Sequence, residues 1–502
     1  MEAFMEQAYQ RIRQSATVIT HAPARTLPTQ GNLSAARDSL PKLSSADYLS
    51  SNGPEATLDH LLGIIVPALN GQNRSGRYFG FVTGSTLPIA EVADNIVSAY
   101  DQNVAVHLPA QTIATEVEDA ALKMLVRLLD LGGTEAWEGR TFTTGATGSN
   151  VLGLACGREA LVSGKLPEGA ASIGELGILR ACMKAGVEEI QVLTSMGHSS
   201  LYKAASVVGL GRSSVKDLPK SDAEPWRLDL VAVEKELQRE GVASIVAVSA
   251  GEVNTGRFAT TGVADMKKLR QLADRYGAWI HVDGAFGIFA RILPATSEFA
   301  KLRDQVAGLE LADSITVDGH KLLNVPYDNG IFFTRKSSTM TSVFQNPNAA
   351  YLSAGGSSEI QSPLNIGLEN SRRFRALPVY AVLMSEGISG LSEIMARMVH
   401  LARGIAQAIR ESDDYVLLPN ADADLEDTHV IVIFRAKDDS LNEALVKTIN
   451  ESAEWYVSGT KWKGQTACRV AVASWRVDVE RDLELVKRSL ATMAEEHKKS
   501  RS

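Results

Sequence analysis

Four short segments of this 502-residue chain carry side chains able to do chemistry, and each follows an apolar, β-rich run. The first, Thr143-Thr144-Gly145-Ala146-Thr147-Gly148-Ser149-Asn150, is a turn of small residues that opens directly on the helical pattern VLGLACGREAL. Such a turn presents backbone N–H groups and the positive end of a helix dipole to an anion, and Thr147 adds a hydroxyl. It has the spacing of neither a Walker loop nor a dinucleotide-binding GxGxxG turn. The second, Gly197-His198-Ser199-Ser200, places an imidazole just past IQVLTS, where it can stack on a ring or donate to a carboxylate. The third, HVDGAFG (281–287), ends an otherwise apolar strand on Asp283, a carboxylate whose burial demands a cationic partner. Ala285 beside it is small enough for a flat ring to lie against the backbone. The fourth, Asp318-Gly319-His320-Lys321, puts a lysine after the strand SITV, with His320 next to it as a second contact for an anion. Burial disfavours the ammonium form, and a neutral amine is what imine formation needs.

Taken singly, each segment has an ordinary alternative: a plain strand-to-helix turn, a structural histidine, an aspartate capping a loop, a lysine reaching solvent along its own stem. Taken together, in the order 147, 198, 283 and 321, they fit one object. An anion turn for a phosphate, an imidazole for a ring face, a carboxylate for a protonated pyridine nitrogen and an amine for an aldehyde describe pyridoxal 5'-phosphate (PLP). Its pyridinium ring is an electron sink.

The elements that must hold these groups are legible from pattern. The runs at 190–195, 244–250, 278–284 and 313–319 read as buried strands. Between the second and third lies 262–277, with Val263, Met266, Leu269 and Leu272 on one helical face. This alternation predicts an α/β domain with a mostly parallel sheet, its ligand sites at the strand ends. After about residue 376 the pattern changes to a long helical region, a strand at 429–437, a helix at 440–455, a strand at 468–474 and a last charged helix. That is the pattern of a smaller α+β domain. The expected division is 1–105 as a helical, dimer-forming N-terminal segment, 106–375 as the cofactor domain and 376–502 as the C-terminal domain. The segment RYFGFVTGSTLP reads as a loop between helices.

A net charge of −8 argues against nucleic acid or an anionic membrane as the main partner. Cys156, Cys182 and Cys468 are far apart, so neither a disulfide framework nor a thiolate metal site is implied, and a reducing cytoplasm fits. The charged N-terminus has no signal-peptide pattern, and no uncharged apolar run is long enough to span a bilayer.

The chain resembles the PLP-dependent group II amino acid decarboxylases of aspartate-aminotransferase-like fold. The resemblance rests on YFGFVTGST (78–86), DQN (101–103), HSSLYKAASVVGLG from His198, HVDGAFG, DGHKLLNVPYDNG (318–330), SRRFRAL (371–377) and CRVAVASWR (468–476). It covers roughly residues 55–480. It implies PLP fold type I, with a seven-stranded-type sheet in the large domain, a helical N-terminal segment and a smaller C-terminal α+β domain. The implied reaction is decarboxylation of an L-amino acid to its amine and CO2. Lys321 would be the imine lysine, Asp283 the partner of the ring nitrogen and His198 the stacking residue, facing Ala285. Ala146, Thr147 and His320 would lie at the phosphate. Tyr351, in NPNAAYLS, falls where such enzymes carry the tyrosine that returns a proton to the α-carbon; a phenylalanine there would suggest oxidative chemistry. Phe81, Thr83 and Ser371 would line the substrate pocket. Arg469 either takes a substrate carboxylate or pairs with a surface acid. The family resemblance further implies a homodimer with shared active sites, the loops at 81–86 and 104–112 completing the neighbour's site. Departures from the family pattern include Glu252 after Gly251, Leu322 after the lysine, and Ser474-Trp475-Arg476-Val477-Asp478 near the end. An aldehyde synthase, an aminotransferase or a lyase on the same fold is the alternative enzyme, and a scaffold that keeps the fold without catalysis is the third class.

Overall fold

The computed structural model describes residues 2–17, 25–45, 48–347 and 360–501. Among these residues, twelve strands form two sheets. In chain order they are β1 (Tyr78–Phe79), β2 (Gly139–Thr143), β3 (Glu189–Thr194), β4 (Val215–Asp217), β5 (Val242–Ser249), β6 (Trp279–Asp283), β7 (Ser314–Asp318), β8 (Gly330–Thr334), β9 (Tyr415–Leu418), β10 (Ile431–Ala436), β11 (Tyr456–Trp462) and β12 (Gln465–Ala471).

The seven-stranded sheet has the order β2-β8-β7-β6-β5-β3-β4. Strand β8 pairs antiparallel with both neighbours, and the remaining pairs are parallel. Helices pack on it, so its central strands are buried on both sides: every residue of β7 is buried, and all of β5 after Val242. The helix Val263–Tyr276 buries Met266, Leu269, Leu272 and Ala273, whereas Val263, its first residue, lies 42% exposed. The expected apolar stripe therefore begins one turn later, where the helix first meets the sheet. Register aligns Ser249 with Asp283, Asp283 with Thr316, and both Asp318 and Thr143 with Gly330. The carboxyl ends of β2, β5, β6 and β7 thus share one edge, and every motif with chemistry follows a strand ending there.

The five-stranded sheet has the order β1-β11-β12-β10-β9. It is antiparallel except where β1 lies parallel to β11, Tyr78 opposite Tyr456 and Phe79 opposite Val457. Within the segment expected to be a loop, Tyr78 and Phe79 therefore form an edge strand, and the residues from Gly80 to Leu87 are loop. Two residues are too few to show a period, and the partner is remote in sequence. The N-terminal region is helical, with helices at Glu2–Thr17, Gln30–Ser39, Gly53–His60 and Pro88–Tyr100. A helical stretch over Ala376–Arg410 is interrupted at Gly387, whose φ is +58°. No helix among the described residues is long and apolar enough to cross a membrane.

Candidate active site

Lys321 sits on the helical turn Gly319–Leu322 that follows β7, its side chain 20% exposed. Its Nζ lies 3.0 Å from Asp318 Oδ2 and 5.8 Å from the ring centre of Phe286. The other oxygen of Asp318 accepts the Ala146 N–H at 2.7 Å, which ties the lysine turn to the start of the helix Ala146–Ser163. Thr143 closes the preceding turn: its hydroxyl donates to the Gly145 carbonyl at 3.0 Å and contacts Ser149 Oγ at 2.7 Å. His320 Nδ1 accepts the Asn329 N–H at 3.3 Å, and its Nε2 is 3.6 Å from Asp318 Oδ1. Burial lowers the His320 pKa despite the pull of Asp318.

Asp283, the last residue of β6, accepts the Asn150 side-chain N–H at 2.9 Å and the Ala285 backbone N–H at 3.2 Å. His198 caps the helix Ser199–Val207, its Nδ1 accepting the Ser200 N–H at 3.2 Å. Burial lowers the His198 pKa; the Asp283 charge opposes this, and the charges of Lys321 and Arg469 add to it. His198, Asp283, Asp318, Lys321 and Arg469 accordingly share one electrostatic environment.

This edge fits PLP. Asp283 has no ion-pair partner among the described residues, although it ends a buried strand, and a pyridinium nitrogen supplies the missing cation. The N-cap, Gly145, has no side chain and Asp318 takes only the Ala146 N–H, so the Thr147 and Gly148 N–H groups in the first turn of the helix Ala146–Ser163 have no intrahelical acceptor and suit a phosphate. Lys321 would hold the aldehyde carbon, Ala285 and His198 the two ring faces, and Ala146, Thr147 and His320 the phosphate end.

The substrate side comes from elsewhere in the chain. Thr83 is buried and lies beside Tyr327, whose pKa burial raises. A Cβ on the next residue, Gly84, would stand 2.1 Å from the Lys321 carbonyl oxygen, so this loop lies directly on the lysine turn. Phe81, 63% exposed, donates its N–H to Ser458 Oγ at 3.2 Å, and its carbonyl accepts Arg469 Nη1 at 2.7 Å. Arg469, buried on β12, also donates Nε to the Val253 carbonyl at 2.8 Å, and its Nη2 has no partner among the described residues. Burial lowers the Arg469 pKa to about 10, against the pull of Glu252. Glu252 is itself buried and accepts the N–H groups of Asn254 and Thr255, both at 2.7 Å, and the Thr255 hydroxyl at 2.8 Å. Burial raises its pKa. Ser371 is exposed, beside Arg372, whose side chain is committed to Glu118 at 2.9 Å; no contact among the described residues joins Ser371 to the Lys321 cluster. Tyr351 lies outside the described residues.

Sequence reasoning passed over Asn150 and Ser200, which stand inside the quoted motifs, and the contacts of Asp318. A signal for Asn150 was present: an asparagine inside an otherwise apolar helix goes against propensity and points to a partner. Tyr327 and Phe286 carry no such signal.

The pyridoxal-dependent decarboxylase conserved domain matches residues 79–437. Tryptophan decarboxylase 1 of Oryza sativa subsp. japonica is 24% identical over 446 residues, 84% of this chain and 80% of that protein. L-2,4-diaminobutyrate decarboxylase of Acinetobacter baumannii is 26% identical over 381 residues, 73% of this chain and 68% of that one. Phenylacetaldehyde synthase of Petunia hybrida is 23% identical over 376 residues, covering 73% and 70%. Among solved structures, Oryza sativa TDC with PLP and tryptamine has the same fold, with a TM-score of 0.79, 22% identity and 98% of both chains covered. Mouse CSAD in apo form gives 0.80 at 17% identity, again over 98% of both. The matched region holds β2 to β10 and, within it, the whole sheet edge around Lys321, so the chain belongs to the pyridoxal-dependent decarboxylase family and is a PLP-dependent amino acid decarboxylase.

Proposed function

We propose that the chain converts an L-amino acid to its amine and CO2, with Lys321, His198 and Tyr351 as catalytic residues. The observation that carries this reading is the sheet edge itself, where the Lys321 amine, the Asp283 carboxylate and the His198 ring face one environment. PLP, when bound, supplies the electron sink for the charge left on the α-carbon as CO2 departs. Asp283 holds a proton on the ring nitrogen by its negative charge. Lys321 would hold the cofactor covalently through its Nζ and retain it between turnovers. The bare Nη2 of Arg469 takes a substrate carboxylate, and Phe81 and Thr83 line the approach. Tyr351 delivers a proton to the α-carbon.

We further propose a homodimer with shared active sites. Val92, Ile96 and Tyr100 are exposed on the helix Pro88–Tyr100, as are Met384 and Ile388 on the 376–410 stretch that packs against it, and Phe81 and Tyr327 are exposed at the mouth of the site. A surface of this kind supports burial against a second copy.

Two measurements test the reading. Borohydride treatment of the PLP-loaded protein should leave a pyridoxyl group on Lys321, and Lys321→Ala should abolish both that adduct and turnover; an adduct on another lysine sinks the assignment. Product analysis against the proteinogenic amino acids, with and without oxygen, should give CO2 and amine. Similarity to phenylacetaldehyde synthase favours aldehyde as the second outcome. Tyr351→Phe removes the acid, so in air it should form less amine and more aldehyde, ammonia and peroxide. A wild type that makes mainly aldehyde, or a variant that makes amine at the normal rate, removes Tyr351 from the mechanism.

A further inference from the structure

Asn150 stands between the two residues assigned to opposite parts of the cofactor. Its Nδ2 donates to Asp283 Oδ2 at 2.9 Å and to Ser200 Oγ at 3.2 Å. Its Oδ1 lies 2.9 Å from His281 Nε2. The amide can face only this way, because rotating it would set its oxygen against the Asp283 carboxylate, acceptor to acceptor. Oδ1 must then receive a proton from His281, which is therefore the Nε2–H tautomer, with Thr316 Oγ1 a more distant neighbour at 3.4 Å. His281 Nδ1 in turn faces Ser314 Oγ at 2.8 Å, and Ser314 Oγ accepts the indole N–H of Trp279 at 2.9 Å, leaving its own proton for the imidazole. Space for the ring is made by Gly153, one helical turn after Asn150, where a Cβ would come within 2.3 Å of His281 Cε1.

The other branch reaches His198. Its Nδ1 meets two groups of Ser200: the backbone N–H at 3.2 Å and the hydroxyl at 2.7 Å. A backbone N–H can only donate, so Nδ1 must be the unprotonated nitrogen of the neutral ring. The Ser200 hydroxyl, which accepts from Asn150, has its proton free to donate to the same Nδ1. Every bond from Trp279 to His198 thus has one consistent direction, and Asn150 is the only member that touches both branches.

We propose that Asn150 is a positioning residue for both sides of the cofactor site: its amide orients the Asp283 carboxylate and, by aiming the Ser200 hydroxyl at Nδ1, reinforces the Nε2–H tautomer of His198 that the Ser200 backbone N–H selects. His198 then meets the substrate as a hydrogen-bond donor and not as a base. The catalytic consequence rests on the PLP decarboxylase reading; the tautomer assignment does not.

The test uses the full-length chain with ring-15N histidine, PLP-loaded and PLP-free, with two-bond spectra assigned through His198→Gln and His281→Gln. In the wild type, Nδ1 of both rings should appear as the unprotonated nitrogen and Nε2 as the protonated one. Ser200→Ala keeps the backbone N–H that selects the tautomer, so it should shift the His198 Nδ1 resonance through the lost hydroxyl bond without moving the proton from Nε2, and leave His281 unchanged. Asn150→Ala should disturb both rings, shift the pH at which the visible absorption of the loaded protein changes, and lower kcat about 100-fold, the scale of a small misplacement of reacting groups. A loss of structure alone moves neither the tautomer ratio nor that pH in a chain that remains folded. The proposal falls if wild-type His198 carries its proton on Nδ1, or if folded Asn150→Ala keeps the wild-type tautomers and the wild-type titration. Should Asn150→Ala fail to fold, the wild-type spectrum and Ser200→Ala still decide. Correct tautomers in a protein that makes no amine would overturn the decarboxylase reading and leave this one standing.

Discussion

The carboxyl edge of the seven-stranded sheet and the neighbourhood of the five-stranded sheet both bury histidine and charge, and they satisfy them differently. At the first, His281 is wholly buried with both ring nitrogens hydrogen-bonded, and Asn150, Ser200 and Ser314 are engaged around it. At the second, His429 is equally buried just before β10 and lies between Phe258 and Phe286, at 6.1 and 6.4 Å, yet neither ring nitrogen has a partner among the described residues. Arg469 on β12 likewise keeps one nitrogen bare. The cofactor side of the site is therefore oriented in advance by the chain, and the substrate side keeps donor capacity in reserve. Phe286 is where the two regions touch, with His429 stacked on it and the Lys321 amine above its ring.

The largest expected effect tests whether the pre-oriented edge does the work assigned to it. Asp283→Asn keeps the size of the side chain and removes its charge, so turnover should fall about 100- to 1000-fold, as for other fixed charges aimed at a reacting centre. Near-normal turnover with PLP bound would reduce Asp283 to a loop cap and erase the contrast. Next comes the reserve capacity of Arg469. Arg469→Met should lower kcat/KM about 10- to 100-fold, the worth of a charge-assisted hydrogen bond, with Arg469→Lys recovering part of the loss. An Arg469→Met enzyme with unchanged kcat/KM would mean that the bare nitrogen serves no substrate.

Smaller effects separate the two histidines. His281→Ala strands the Asn150 carbonyl and the Ser314 hydroxyl, so denaturant unfolding should show a loss of roughly 1–3 kcal/mol. His429→Leu strands nothing that is bonded and should be neutral or stabilising by the same measurement. Equal losses for both would mean that His429 is bonded as well as His281. The pH dependence separates them by a graded effect. Burial lowers the folded-state pKa of His281 to about 4 and of His429 to about 3, from an ordinary value of 6.5. Below pH 6.5 the unfolded chain takes up protons that the folded chain refuses at these sites. Their contribution to stability is thus complete above 6.5 and declines as the pH falls toward 4, by up to roughly 1.4 kcal/mol per pH unit for each ring. His429→Leu should flatten this decline in a series of melting curves; an unchanged slope would show that His429 takes up its proton while folded.

Much of the sheet edge was legible because buried parallel strands announce themselves as uninterrupted apolar runs. β3, β5, β6 and β7 lie within a residue or two of where those runs place them. Lys321, Asp283 and His198 stood out as polar residues at the ends of such runs. What was not legible depends on distance in sequence or on context. Asn150 goes against helix propensity, but which partners it serves stays hidden until the sheet register brings His281 and Asp283 to it. Asp318 looks like the flank of a motif until the Ala146 N–H and the Lys321 amine are seen to meet on its two oxygens. Arg469 was visible as a residue type, but its unused nitrogen is a property of the packed site alone.

The parallel pairing of β1 with β11 has a consequence for how the protein is made. Tyr78 finds its strand partner at Tyr456, and the Phe81 carbonyl finds Arg469, both hundreds of residues later in the chain. The seven strands of the large sheet are all present in the chain by Thr334 and can pair before then. Such remote contacts are slow to close, and a nascent chain forms first what its N-terminal part allows. The groups that receive the cofactor are thus assembled early, and the wall that receives the substrate is completed among the last. A ribosome stalled near residue 440 would hold a chain equipped with the lysine turn and lacking its substrate wall.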